Sequence, residues 1–295
     1  MKTNLYRSSL FLLAILLFTA GCSKDYESIE VVDDANIQTY IKSNNLNVTQ
    51  YKDSGFYYEV LNQGTGDTLS YSDRVFVTFT MKSLDGSFNL GDMNNNRYTS
   101  FLGYFSTESN LPAAFRTAVK EILNHRGSSI RLIIPSRLAY GKAGNGTFDI
   151  KGNASLDCTI KVFDAKSVTE FEDVFVKEYI QSNNITGLSR LNSGVYYKVL
   201  TEGTGTVPVD VDSYITVAYT GKLTNGTVFD SSTSFPTYLS GVIPGWQQGV
   251  PLITTGGKIR LIIPPTLGYG SSGSGTVIPG NSILDFEIEL KAVTN

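Results

Sequence analysis

The sequence is poor in the residues that most often carry out covalent or metal chemistry. Its 295 residues include one histidine, two cysteines and one tryptophan. A single histidine, His125, excludes most histidine-based metal sites and any Ser-His-Asp triad. Two cysteines, Cys22 and Cys158, are too few for the disulfide framework of a small secreted domain. The sequence therefore predicts no metal and no cofactor, and any catalysis must proceed without a histidine base or a thiolate pair.

Dense positive charge is also missing. The formal net charge is −3, and the lysines and arginines form no cluster along the chain. A nucleic-acid partner is therefore not expected. The length is sufficient for two domains of ordinary size.

Long apolar segments are confined to the N-terminus. The run LFLLAILLF at Leu10–Phe18 follows a basic start and is shorter than the roughly 20 residues of a membrane-spanning helix. This pattern predicts a signal peptide over residues 1–21. The small residues TAG before Cys22 resemble a lipobox, which predicts a lipid on Cys22 and an acidic tether over 22–33; secretion with an incidental cysteine is the alternative. We therefore expect a lipoprotein anchored in a membrane of the cell envelope, facing the periplasm or the cell exterior.

Two halves of the sequence repeat each other. YIKSNN returns as YIQSNN, SGFYYEVL as SGVYYKVL, and RLIIPSRLAYG as RLIIPPTLGYG. The last pair is more closely spaced than the first two, so the first copy contains extra residues between Gly86 and Leu111. The repeat is far longer than a solenoid unit. It predicts a duplicated domain, with one copy at 34–165 and the other at 166–295.

Each copy begins with a helical pattern and continues with strands. In EFEDVFVKEYIQSNN the apolar residues recur near helical spacing, and the asparagine pair can end the helix. Alternating segments of the second copy predict strands at Val195–Leu200, Ser213–Leu223, Lys258–Pro264 and Ser282–Leu290. A short helix is expected from Gly245 to Val250. Alternation with one polar face favours antiparallel pairing, so we predict two α+β domains, each an antiparallel twisted β-sheet wrapped on a short α-helix.

The second copy carries four motifs in a characteristic order. They are YTGKLTNGTVFDSS, VIPGWQQGV, IPPTLGYG and VIPGNSILDFEIEL. Over about residues 193–293 this order and spacing resemble the FKBP-type peptidyl-prolyl cis-trans isomerases. The resemblance implies an FKBP-like fold and isomerase activity toward proline-containing polypeptides.

The same resemblance implies a set of site residues. In that family the proline ring of the substrate enters an aromatic cup, which would be formed here by Tyr219, Phe229, Trp246 and Phe286, with Trp246 as its floor. Beside this aromatic cup, Asp230 matches an acid and Tyr269 matches a hydroxyl that hydrogen-bonds the bound peptide. The implied substrate-binding residues are Phe235, Val242, Ile243 and Ile278, and the backbone N–H of Ile243 would bind a substrate carbonyl.

An apolar cup suits this reaction on physical grounds. An X-Pro bond rotates over a barrier of roughly 18–20 kcal/mol and isomerises unaided in tens to hundreds of seconds. Its transition state is a twisted amide that has lost resonance and polarity, so a dry aromatic site favours it over the planar ground state. No base, metal or nucleophile is required. Taken singly, each of these aromatic residues fits a role in the core equally well.

The first copy lacks most of this set. Its matching positions hold Phe79, Phe88, Asn89, Phe115 and Cys158 in place of Tyr219, Phe229, Asp230, Trp246 and Phe286. Tyr140 alone survives, as the match to Tyr269. We therefore expect the first copy to be a structural, recognition or dimerisation domain without catalysis. Its inserted segment 89–110 carries four aromatic residues, Tyr98, Phe101, Tyr104 and Phe105, which either contact a protein partner in the envelope or fold over their own domain.

Three functions remain open from the sequence alone. The leading one is cis–trans isomerisation of X-Pro bonds in exported proteins by the second copy. The others are a chaperone-like peptide-binding protein with little turnover and a scaffold lipoprotein held in an envelope complex through the first copy.

Overall fold

The computed structural model describes residues 27–93, 96–105 and 110–294. The predicted signal peptide and Cys22 lie outside these residues. Within the described ranges, no helix combines the length and apolar character needed to cross a membrane.

The first unit contains one long helix and a seven-stranded sheet. Its helices are α1 (Ile29–Ser43) and α2 (Ala113–Thr117), and α2 continues as a π-helical segment over Ala118–Leu123. The strands of this unit are β1 (Thr49–Gln50), β2 (Tyr57–Asn62), β3 (Arg74–Ser83), β4 (Asn89–Leu90), β5 (Arg97–Phe101), β6 (Ser129–Ile134) and β7 (Leu156–Val162). Short 3-10 turns lie at Lys52–Ser54, Leu102–Tyr104, Ser136–Leu138 and Gly141–Ala143.

The second unit has the same arrangement with six strands. Its helices are α3 (Val168–Ser182) and α4 (Pro244–Gly249). Its strands are β8 (Ser189–Arg190), β9 (Tyr196–Thr201), β10 (Tyr214–Leu223), β11 (Val228–Tyr238), β12 (Lys258–Ile263) and β13 (Leu284–Thr294). Its 3-10 turns are Leu239–Gly241, Val250–Leu252 and Pro265–Leu267.

The two sheets share one strand order. The first runs β1-β2-β6-β7-β3-β4, with β5 also paired to β3, and the second runs β8-β9-β12-β13-β10-β11. The strand pairs of both sheets are antiparallel. The predicted α+β class with antiparallel sheets is therefore confirmed.

Matching signals begin and end the two long helices. Ser28 caps α1 and Ser167 caps α3, because each hydroxyl accepts a hydrogen bond from an N–H of the first turn. Such caps satisfy donors that have no partner within the helix. Beyond each helix an asparagine adopts the left-handed conformation, Asn45 at φ 50° and Asn184 at φ 51°. The asparagine pair therefore ends α3 as the sequence predicts.

The start of α1 corrects the predicted tether. The helix begins at Ile29, so the tether expected over residues 22–33 is wrong for its last five positions. Asp33 is buried, and its carboxylate accepts hydrogen bonds from the hydroxyls of Ser136 and Ser155, each at 2.9 Å. An acidic residue with these partners belongs to the folded unit, but its sequence neighbourhood is as polar as a linker.

Both long helices dock on their sheets through the same three-residue network. An arginine of one central strand forms a two-pronged ion pair with an aspartate of the next, and a helix tyrosine donates a third hydrogen bond to that aspartate. The networks are Arg131–Asp157–Tyr40 and Arg260–Asp285–Tyr179. Two-pronged pairs of this kind fix orientation as well as supplying energy, so each helix has a defined place on its sheet.

A cluster of aromatic rings joins the two units. Phe76 and Phe163 of the first unit pack against Phe171 and Phe175 of α3, with ring centroids 5.0–5.4 Å apart. All four side chains are buried. We call these four residues the interface cluster. Helix α3 therefore contacts the first unit while docking on the sheet of the second.

Strand β11 was missed by the sequence analysis. Its sequence, VFDSSTSFPTY, is rich in serine and threonine and contains Pro236. The strand lies at the edge of its sheet, paired only with β10 among the described strands. An edge strand tolerates proline because one side of its backbone needs no partner in the sheet. The usual alternation is absent because little of this strand is buried.

Candidate active site

The four residues of the predicted aromatic cup come together in the second unit. Tyr219 lies on β10, Phe229 on β11, Trp246 on α4 and Phe286 on β13. The rings of Tyr219 and Phe286 each meet the indole of Trp246 nearly edge-on, at 5.0 and 5.1 Å between centroids. Phe229 meets Phe286 at 5.4 Å and 90°. Edge-to-face packing of this kind holds the rings in fixed orientations.

The floor of the aromatic cup depends on a short helix held close to the sheet. Trp246 is only 4% exposed. Helix α4 begins with Pro244, whose ring suits the first helical position. Gly249 lies against Leu261 of β12, where a Cβ would approach the leucine side chain to 2.5 Å. The absence of that side chain lets the helix approach the sheet and bury the indole.

A hydroxyl–carboxylate pair lies beside the rings. The Tyr219 hydroxyl donates a 2.6 Å hydrogen bond to Asp230 Oδ2. Burial is the larger cause that raises the pKa of Tyr219, and this hydrogen bond raises it further. The phenol therefore stays protonated near neutral pH and remains a hydrogen-bond donor. Burial and the nearby charge of Asp230 also raise the pKa of Tyr269. Tyr269 is 39% exposed, so this side chain is partly open to solvent near Asp230.

The remaining predicted residues surround these groups. Phe235 contacts Tyr219 at 5.8 Å between ring centroids. Val242 and Ile243 are half-buried, Ile278 is buried, and all three pack in the same hydrophobic cluster as Trp246. Ile243 precedes α4 as its N-terminal cap residue, and among the described residues its N–H has no hydrogen-bond acceptor. The structure therefore brings all ten predicted site residues into one region.

Gly221 is a site residue that the sequence analysis missed. It lies opposite Phe286 in the pairing of β10 with β13. A Cβ at this position would lie 2.6 Å from both Phe229 and Phe286. The missing side chain therefore creates the space in which these two rings meet. The signal was present, because the first copy has methionine where the second has this glycine.

In the first unit that space is filled. Met81 occupies the position of Gly221 and is fully buried opposite Cys158, which replaces Phe286. The Tyr140 hydroxyl lies 3.8 Å from the Met81 sulfur and donates a 2.8 Å hydrogen bond to the Asn110 carbonyl. The tyrosine that survives in the first copy is therefore engaged within its own unit.

The first unit also lacks the backbone donor. Pro112 is the cap residue before α2, as Ile243 is before α4. Proline has no backbone N–H, so no donor exists here for a substrate carbonyl. Phe115, which replaces Trp246, is fully buried and contacts Phe79 at 5.9 Å. The first unit therefore differs from the second at the positions of the predicted floor and of the backbone donor.

The sequence left two alternatives open for the inserted segment 89–110, contact with a partner or folding over its own domain, and its aromatic residues fall into two groups. Residues 97–101 form β5, which adds to the sheet beside β3. Phe105 is fully buried and contacts Tyr98 at 5.1 Å, so this part folds over its own unit. Phe101 and Tyr104 are 47% and 55% exposed. Only these two aromatic side chains of the segment face solvent to a large extent.

Comparison with known proteins gives the same family. The family of FKBP-type peptidyl-prolyl cis-trans isomerases matches residues 205–291. A probable FKBP-type peptidyl-prolyl cis-trans isomerase of Haemophilus influenzae is 40% identical over 130 residues, which cover 43% of this chain and 52% of that protein. The FKBP-type 22 kDa peptidyl-prolyl cis-trans isomerase of Escherichia coli is 42% identical over 120 residues, covering 38% and 57%. The chain belongs to the FKBP-type peptidyl-prolyl cis-trans isomerase family through its second unit.

Solved structures of similar sequence include FkpA from Escherichia coli, at 38% identity and a TM-score of 0.38, covering 42% of this chain and 59% of that one. A peptidyl-prolyl cis-trans isomerase from Pseudomonas syringae is 34% identical with a TM-score of 0.39, covering 44% and 99%. The chain spans about half the length of the curated relatives it matches.

Proposed function

We propose that the second unit catalyses cis–trans isomerisation of X-Pro bonds through its aromatic cup. One observation carries the proposal. Trp246 meets the rings of Tyr219 and Phe286 edge-on, and the missing side chain of Gly221 leaves room for Phe229 to pack edge-on against Phe286. At the equivalent place in the first unit, Met81 is fully buried. This contrast supports a substrate site in the second unit only.

The chemistry follows from these surroundings. Rotation about the X-Pro bond removes amide resonance and lowers the polarity of the bond, so apolar ring faces stabilise the twisted state more than the planar one. The free N–H of Ile243 and the hydroxyl of Tyr269 are suited to hydrogen-bond the peptide carbonyls on either side of the proline. Asp230, fixed by Tyr219, adds negative charge at the edge of the cup. The protein groups hold and desolvate the peptide, and no bond is broken.

The test is a pair of matched substitutions in a soluble form of the protein that begins at Ser23. The isomerisation rate of a peptide of the type Ala-Leu-Pro-Phe is measured for the unsubstituted protein, Trp246→Leu and Phe115→Leu. Both changes replace a buried aromatic side chain at equivalent positions of the two units. We expect loss of most activity in Trp246→Leu and little change in Phe115→Leu. Equal activity of all three proteins would refute the site, and a silent unsubstituted protein would favour the peptide-binding or scaffold functions.

We further propose that the substrates are exported polypeptides and that the protein is held at a membrane by lipid on Cys22. The support is the sequence pattern of residues 1–22. Mass spectrometry of the mature protein tests this, since a lipidated N-terminal cysteine adds a defined mass and Cys22→Ala removes it. A soluble wild-type protein of unmodified mass would contradict the anchor. The exposed Phe101 and Tyr104 are the side chains with which the first unit would contact an envelope protein.

A further inference from the structure

A buried carboxylate outside the aromatic cup holds one of the loops around it. Glu172 of α3 is only 5% exposed. Its Oε1 accepts a 3.1 Å hydrogen bond from the Thr266 N–H, and its Oε2 accepts a 2.6 Å hydrogen bond from the Thr266 hydroxyl. A buried charge is tolerated only where such partners compensate its lost hydration. Glu172 therefore fixes the position of the 3-10 turn that contains Thr266.

That turn carries Tyr269 to the site. The carbonyl of Pro265, the first residue of the turn, accepts hydrogen bonds from the Gly268 N–H at 3.0 Å and from the Gly270 N–H at 2.8 Å. These bonds lie on either side of Tyr269 in the chain. A displacement of the turn must therefore move the tyrosine with it.

The same helix is anchored in the first unit. Phe171 and Phe175, on either side of Glu172 in sequence, belong to the interface cluster. The guanidinium of Arg97, on β5 of the inserted segment, lies 3.7 Å from the ring centroid of Phe175. Burial lowers the pKa of Arg97 to about 10, while the charge of Glu172 opposes that effect. Arg97 therefore makes a cation–π contact with Phe175 and interacts electrostatically with Glu172.

We propose that α3 is a strut through which the first unit positions Tyr269: Arg97 and the interface cluster hold the helix, and Glu172 holds the turn. Glu172 is a positioning residue that acts through Thr266 and does not contact the substrate. The first unit then takes part in the reaction although its own site is filled. This inference rests on the proposed isomerase function of the second unit.

The experiment measures two quantities on the whole chain. Hydrogen–deuterium exchange of residues 265–270 reports how firmly the turn is held, and kcat/KM for a proline peptide reports the site. We expect Glu172→Ala to accelerate exchange of this segment and to lower kcat/KM roughly three- to ten-fold, less than the ~100-fold cost of an ångström-scale misplacement of a reacting group. Glu172→Gln should recover part of the loss, because its amide oxygen can still accept from Thr266.

Three further variants separate positioning from general destabilisation. In a Tyr269→Phe background, Glu172→Ala should change kcat/KM less than two-fold, because the effect passes through the tyrosine hydroxyl. Asp33→Ala breaks the equivalent contact in the first unit and should leave exchange of residues 265–270 unchanged. Arg97→Met should accelerate that exchange, by less than Glu172→Ala does.

The outcomes are distinguishable from failure of the proposed function. An inactive unsubstituted protein would refute the isomerase, and the exchange data would still decide whether Glu172 holds the turn. Unchanged exchange in Glu172→Ala, or an equal loss of kcat/KM with and without the Tyr269 hydroxyl, would overturn the strut. Unchanged exchange in Arg97→Met would overturn the part assigned to the first unit.

Discussion

Replacement of Gly221 by alanine tests the aromatic cup with a single added carbon. The new Cβ would lie 2.6 Å from both Phe229 and Phe286, whereas carbon atoms in contact are ~3.5–4.0 Å apart. Both rings must therefore move by about 1 Å. Phe229 is half-buried and can tilt toward solvent, whereas Phe286 is 3% exposed and must shift within the packed core.

The substitution should change both stability and activity. The tilt of Phe229 relieves one overlap, but the shift of Phe286 disturbs the core, so we expect the free energy of unfolding to fall by ~1–3 kcal/mol, as in other overpacked cores. The shape of the site is also lost, and we expect kcat/KM to fall roughly 10- to 100-fold. Peptide isomerisation measures kcat/KM. Urea unfolding followed by Trp246 fluorescence measures the free energy of unfolding, and because the chain has one tryptophan the signal comes from the second unit alone.

Gly241→Ala is the matched control. A Cβ at Gly241 would have the Thr237 hydroxyl oxygen as its nearest neighbour, at 3.8 Å, so it adds the same carbon without overlap. We expect near-normal activity and stability from this variant. Normal kcat/KM in Gly221→Ala, or an equal loss in both variants, would show that the packing of Phe229 on Phe286 does not shape the site.

Three other substitutions test a hydrogen bond of the site, the packing of the first unit and the ion pair of Asp157. Tyr219→Phe removes the 2.6 Å hydrogen bond to Asp230 and should lower kcat/KM about ten-fold, or ~1.4 kcal/mol, with the fold intact by circular dichroism. Met81→Gly, in a chain whose second site is inactivated, should restore no isomerisation, because Pro112 still lacks the backbone donor. The hydrogen bonds of Asp157 outweigh the effect of burial and lower its pKa, so the stability they supply is present above about pH 4 and lost as the pH falls through the lower folded-state value. Asp157→Asn should therefore weaken the acid dependence of urea unfolding followed by far-UV circular dichroism, which reports on both units.

The sequence predicted more of the candidate site than of the fold. Trp246 and Asp230 stand in motifs whose resemblance to the isomerase family implies the cup, and the structure brings them together as expected. The edge strand β11 could not be predicted, because a strand with little burial shows no alternation. The first turn of α1 looked like a linker, because the partners of Asp33 are more than a hundred residues away in sequence. Contacts of that kind depend on the fold and leave no local pattern.

The cross-strand pair at the centre of the cup distinguishes the second unit, for which we propose a substrate site, from the first. In the second unit a glycine opposes Phe286, and in the first Met81 opposes Cys158. In each pair a large residue faces a small one. The large residue is the aromatic Phe286 in the second unit and the aliphatic Met81 in the first. In the first unit Met81 therefore fills the position at which the second unit leaves room for two aromatic rings. Because both units keep the same arginine–aspartate–tyrosine network behind the sheet, the scaffold persists without the site, and α3 supplies a physical route by which that scaffold acts on its neighbour.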